Sequence, residues 1–217
     1  MHPVINLVST RCIEGNHALL QRWYADHVQL LLSSPQLCSA QLHRCVQGLH
    51  GHEPDYVCIY EFANSGDFER FESSPEKAQA TVLTNAAPGR GAIEIVQRIQ
   101  FERLLHQQFG QAPMVSPQGF LIQLQATDTW CQSNIRWLSD IVQEVRAVLP
   151  LQNVQLMGGL QETKLLQLHL GFGNCEVQPA WALLKTLLQQ TSRYGHAPDQ
   201  WQMQWASATA PVMQWIR

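Results

Sequence analysis

The stretch Arg22-Trp23-Tyr24-Ala25-Asp26-His27-Val28 returns later in the chain as Arg136-Trp137-Leu138-Ser139-Asp140-Ile141-Val142, with Arg, Trp, Asp and Val in the same places. Each copy lies in a helical pattern that follows a short apolar strand, so the match extends from residues to organisation. Carrying the register onward sets Leu42 opposite Leu156 in the strand that follows each helix. This is the signature of a fused duplication. The fold must then be one in which each half builds the same unit.

Periodicity shows what that unit is. Val4–Thr10 is apolar and β-branched, as a strand requires. A helix is expected from about Glu14 to Ser34, stopped by Pro35. Strands follow at Ser39–Val46 and Tyr56–Phe62, separated by the glycine- and proline-bearing loop Gln47–Asp55. The stretch from Asp67 to Leu83 predicts a broken helix or two short ones across Pro75, and Ala92–Ile99 a fourth strand. The order is βαββαβ, a ferredoxin-like unit. After the segment Gln111–Gly119, with its two prolines, the order repeats: strand, helix over Trp130–Leu149, two strands, a helix opening near Pro179, and the strand Trp201–Ser207. The expected division is a first unit over 1–110, a linker over 111–118 and a second unit over 119–217. Such sheets leave one face bare, so pairing is expected, either within the chain as a pseudo-dimeric α+β barrel or between chains as a homodimer.

Composition narrows the function classes. Of 217 residues 45% are hydrophobic and only 14% charged, so the chain buries a real core. Net charge is -3 and the 14 Lys and Arg are scattered, which excludes a phosphate-tracking surface and with it nucleic acid as a partner. The longest apolar run, Leu30–Leu32, is far too short to span a membrane, and the N-terminus has no signal-peptide pattern. Six cysteines without a CxxC pair fit buried reduced thiols and a cytoplasmic location.

One residue stands out. His27 shares a helix face with Leu20, Trp23 and Leu31, and its counterpart in the second copy is Ile141, so the position faces inward. An inward imidazole needs a hydrogen-bond partner, found either in backbone or in a wet pocket beside a ligand, where it could serve as acid or base. Tyr24, Tyr56, Tyr60 and His43 could join such a pocket; ordinary packing is the competing reading for each. In the second half, Gln123, Gln125, Gln167, His169, Gln202 and Gln204 alternate with apolar residues. That polar face is either solvated or, if covered, bonded internally, to water or to a ligand. His50-Gly51-His52 with Asp55 offers two imidazoles and a carboxylate but no fourth ligand, so an exposed loop is the better reading and no metal is assigned. No motif requires a bound organic cofactor: Gly171-Phe172-Gly173 lacks the context of a dinucleotide site, and no GxSxG, Walker or HExxH pattern occurs.

WYADHVQLLLSSPQLCSAQLHRC, set between a leading and a second strand, resembles the dimeric α+β barrel superfamily, and within it the EthD-like proteins, named for ethyl tert-butyl ether degradation. Those show an aromatic pair, a histidine shortly after, a leucine-rich stretch and a proline-containing turn. The likeness covers roughly Val4 to Val46 and is topological beyond; Gln29 and Pro35-Gln36 depart from the proline and Pro-Gly usual there. The resemblance implies two tandem ferredoxin-like units and a ligand held between helix and sheet of the first. It implies a small-molecule enzyme, a cofactor-free oxygenase, isomerase or cyclase acting on an aromatic, lactone or polyketide-like compound. His27 would move the proton, Tyr60 or His43 would orient the substrate, and Trp23, Tyr24 and Tyr56 would contact it. The alternatives are a non-catalytic ligand-binding or scaffold protein, and a haem protein with His27, His43 or His169 as axial ligand.

Overall fold

A computed structural model describes residues 2–48, 51, 53–109, 118–126, 132–173, 176–189 and 201–216. The first half runs β1 (Val4–Cys12), α1 (His17–Leu31), β2 (Leu37–Gly48), β3 (Tyr56–Phe62), α2 (Ser65–Glu72), α3 (Pro75–Asn85) and β4 (Ile93–Gln108). The second runs β5 (Gln118–Ala126), α4 (Gln132–Val148), β6 (Leu151–Gly159), β7 (Leu165–Phe172), α5 (Val177–Gln189) and β8 (Trp201–Ile216). This is βαββαβ twice, and the strands are hydrogen-bonded as a closed antiparallel barrel in the order β1-β3-β2-β8-β5-β7-β6-β4. Among the described residues no helix is long and apolar enough to cross a membrane.

Local chemistry explains the elements that matter for function. Helix α1 buries Leu20, Trp23, Tyr24, Val28 and Leu31, a stripe at helical spacing. Of the two forms expected across Pro75, a broken helix or two short ones, the structure has two helices, each with its own start. Asn64 caps α2 by accepting from the Asp67 amide, and Ser74 caps α3 by accepting from the Lys77 amide with Pro75 in the first turn. Strands β4 and β8 are each 16 residues long, well beyond the Ala92–Ile99 and Trp201–Ser207 read from sequence.

The compact units cut across the simple halves. One consists of Met1–Cys45, Pro54–Arg103 and Pro211–Arg217; the other of Val46–Glu53 and Leu104–Ala210. In the first, one face of the strands packs under the helices through Val4, Val8, Leu42, Tyr56, Tyr60 and Phe62. The opposite face is apolar and buried as well, through Ile5, Leu7, Val57, Ile59 and Phe101. In the second unit, Phe120, Ile122, Leu124, Leu166, Leu168 and Leu170 face α4 and α5, around Ile141, Val145 and Trp181. The polar face of that unit is covered: Gln123 is 2%, Gln167 0% and His169 7% exposed, with Gln123 directly opposite Gln167 across β5 and β7. The solvated reading of the glutamine pattern therefore fails for Gln123, Gln167 and His169, while Gln125 is exposed and accepts from Gln204 Nε2 at 2.7 Å.

Candidate functional site

Helix α1 carries Trp23, Tyr24, His27 and Leu31 to a cavity of about 70 Å³ in the first unit, between the helices and the strands. The His27 ring stacks on Trp23, centroids 4.5 Å apart and planes 18° from parallel. Its Nδ1 lies 3.1 Å from Thr84 Oγ1 on α3. The Thr84 hydroxyl in turn donates to the Ala80 carbonyl at 2.7 Å. A hydroxyl has one proton, and here it is committed to Ala80; toward His27 the oxygen can only accept. Nδ1 therefore carries the imidazole hydrogen and Nε2 is left with a lone pair. Trp23 is tied to the same residue, its Nε1 donating to the Thr84 carbonyl at 2.9 Å. Burial, with the nearby Arg98 charge second, pulls the His27 pKa down to about 4, so the ring is neutral at pH 7.

The strand side of the cavity contributes Asn6 and Val8 from β1, Tyr60 from β3 and Ile95 and Arg98 from β4. A β-bulge puts Arg98 there. Thr10 pairs with Ile95 and Ser9 with Gln97, leaving Val96 as the extra residue. Beyond it the alternation of β4 is inverted, and Arg98 comes to lie opposite Val8, on the helix-facing side. Asn6 lies opposite Tyr60 on one flank and Gln100 on the other. It is 5% exposed, and its Oδ1 has no hydrogen-bond partner among the described residues.

The remaining wall comes from the turn before β4 and from α2 and α3. Arg90 reaches the cavity while its Nη1 donates to the Ile93 carbonyl at 2.7 Å. The turn can approach α1 closely because residue 89 is glycine: a Cβ there would stand 2.8 Å from Trp23 Cβ. Lys77 and Glu72, also on the wall, form an ion pair with each other. Burial raises the phenol pKa of Tyr24 and of Tyr60 far above the ordinary range, so both stay protonated. With His27 and both tyrosines neutral, and Lys77 balanced by Glu72, the cavity is positive through Arg90 and Arg98.

The structure thus gathers His27, Trp23, Tyr24 and Tyr60 at one cavity. It does not bring His43 or Tyr56 to it. His43 is buried, its Nε2 3.2 Å from Gln41 Oε1, on a strand whose alternate residues Ala40 and Leu42 face the helices. Tyr56 shares the face of Tyr60, yet four residues of strand separate them by roughly 13 Å. Its hydroxyl meets Gln21 Nε2 at 2.9 Å and His17 Nδ1 at 3.2 Å instead. Asn6, Thr84, Arg90 and Arg98 were not anticipated. Asn6 carried a readable signal, a polar residue at the inward parity of β1 between Val4 and Val8. His50 and His52 lie outside the described residues, among which no cluster of three metal-ligating side chains forms.

A haem held by His27 is one of the alternatives the sequence leaves open. His27 has the hydrogen-bonded Nδ1 and open Nε2 of a metal-binding imidazole. Sites that enclose ligands of drug size or more measure about 300–1,000 Å³, however, and 70 Å³ under Trp23 and Phe71 does not fit a porphyrin.

No protein-family profile and no curated protein matches the chain. Solved structures do. An anthrone oxidase-like protein superposes with a TM-score of 0.65 at 9% identity, covering 99% of this chain and 93% of its own. A candidate monooxygenase from Lactobacillus acidophilus NCFM gives 0.59 at 10% identity, covering 100% and 97%. A chlorite dismutase of Candidatus Nitrospira defluvii, solved as a mutant, gives 0.60 at 8% identity, covering 98% and 92%. Identities this low speak for architecture alone. Two βαββαβ units, one closed eight-stranded barrel and superposition over nearly the whole chain make this the dimeric α+β barrel fold, carried by a single polypeptide.

Proposed function

We propose that the protein is a small-molecule enzyme of the cofactor-free kind, catalysing an oxygenase, isomerase or cyclase reaction on an aromatic or lactone compound. The first chemical step is removal of a proton from an acidic C–H or O–H of the substrate by His27 Nε2. The observation that supports this reading is the chain His27 Nδ1–Thr84 Oγ1–Ala80 carbonyl, which favours the tautomer with Nε2 unprotonated in a residue that lines the cavity. When Nε2 takes the proton, the imidazolium forms next to the substrate anion, and the cations of the wall stabilise that anion as it develops. Tyr60, protonated and facing the same space, can donate to a carbonyl oxygen and orient it. The architecture shared with an anthrone oxidase-like protein agrees with a substrate whose C–H is acidified by a neighbouring carbonyl.

The test follows proton transfer directly. The protein is incubated in D₂O with a small unsaturated lactone and a small 1,3-diketone, and exchange of the acidic hydrogen is followed by NMR. Exchange faster than in buffer is expected for at least one compound, with a loss of about 10²- to 10⁴-fold in His27→Gln while binding is kept. Equal exchange in the variant and the parent would overturn the assignment. Binding without exchange would make the protein a carrier.

A further inference from the structure

The cavity is furnished for a ligand with two different polar ends. Arg98 forms no ion pair or hydrogen bond among the described residues, yet its charge acts on His27, Tyr24 and Tyr60. Arg90 spends one nitrogen on a backbone carbonyl and likewise meets no carboxylate among the described residues. Glu72 is the only acidic residue on the described wall, and Lys77 holds it. Independently, Asn6 Oδ1 is a buried acceptor with no donor among the described residues, on the wall of the same cavity. Such an atom is left unpaired in a folded protein when something else supplies the donor. Asn6 and Arg98 sit on neighbouring strands, Asn6 opposite Gln100 and Arg98 opposite Val8, so they are diagonal neighbours roughly 7–8 Å apart on one face. Between and above them the wall is apolar: Val8, Trp23, Phe71 and Ile95.

We propose that this cavity binds a small organic acid with a flat apolar body, its carboxylate on Arg98 and Arg90 and a hydroxyl at the other end donating to Asn6 Oδ1. A hydroxylated aromatic carboxylate has this shape. The proposal rests on the cavity reading above and deepens it by naming the substrate class. It also gives Arg98 a second role. Arg98 acts on His27 and Thr84 bonds it, and the other charged and titratable groups that line the cavity are Arg90, the Lys77–Glu72 pair, Tyr24 and Tyr60. Neutralising Arg98 with a carboxylate removes one of the two influences that hold His27 below its ordinary basicity, so a correct ligand strengthens the base it needs.

Calorimetric titration of the intact protein with 4-hydroxybenzoate, 3-hydroxybenzoate, benzoate and phenol tests this. At least one hydroxybenzoate is expected to bind tighter than benzoate, and phenol about 10- to 100-fold weaker than the better acid. Arg98→Gln should reduce affinity for the acids by a similar factor and leave phenol unchanged, with Arg98→Lys between the two. Asn6→Leu should erase the difference between hydroxybenzoate and benzoate. Arg98 is exposed and unpaired among the described residues, so its variants keep the fold, checked by circular dichroism. Acids binding no better than phenol, Arg98→Gln weakening all ligands equally, or no binding by any probe would each overturn the proposal. His27→Gln should retain affinity, so failure of the proton-transfer reading and failure of this one give different results.

Discussion

Asn6 and His27 present the same anomaly, a polar side chain facing inward from an otherwise apolar element, but the fold treats them differently. His27 has Thr84 and a stacked indole; Asn6 Oδ1 has no partner among the described residues. His27 was legible in the sequence because its counterpart in the second copy is Ile141, buried at 0% exposure, so inwardness could be inferred from a residue with no other reason to be there. Asn6 was open to the same logic through the parity of Val4 and Val8, yet a strand rich in β-branched residues looks uniformly apolar. Its cost is measurable. An unpaired buried acceptor carries about 1–3 kcal/mol, so Asn6→Leu should stabilise the ligand-free protein. A melting temperature raised by roughly 2–4 °C per kcal/mol is the expected readout in thermal denaturation, and a lowered one would show that Asn6 supports the fold.

Elements decide what the residues can do together. Helices α1 and α3 are joined at Thr84, which accepts from His27 through its hydroxyl and from Trp23 through its carbonyl. Thr84→Val removes only the first of these. Turnover is expected to fall with little change in ligand affinity, because Nδ1 loses its acceptor and the ring no longer favours the tautomer with Nε2 free. Equal kinetics in the variant would reduce Thr84 to packing. The strands show why part of the site was hidden. Tyr60 was found because alternation in β3 is regular, and the same regularity made Tyr56 look like its partner although the strand's length carries it elsewhere. Arg98 was missed because the bulge at Val96 inverts β4, and one extra residue leaves no mark in an alternating pattern. The length of β8 was missed for a related reason. Beyond Ser207, Ala208, Thr209 and Ala210 are small and Pro211 interrupts, so the continuation lacks strand character although Ala208 and Thr209 are buried.

At the scale of the whole molecule, the duplication was visible because both copies keep the helical stripe and the strand order. The polar lining of the second unit was visible as a pattern, while its burial was not, since alternation says which residues share a face and nothing of what covers it. Burial has a consequence for acid stability. His27 and His169 both have pKa values of about 4 in the folded protein, against 6.5 for an ordinary histidine, mainly because burial penalises the charged ring. Between pH 6.5 and 4 the unfolded chain therefore binds more protons than the folded one, and stability rises with pH across that window. Urea midpoints are expected to fall from about pH 7 to about pH 4.5, and to fall less in His27→Gln; an unchanged drop would mean that His27 titrates normally. The compact unit that holds the cavity also includes Pro211–Arg217, with Val212, Met213 and Trp215 packed on its core. During synthesis that unit waits for a segment made only after the whole of the second unit. The half whose first strand leaves the ribosome earlier is therefore the half that is completed later.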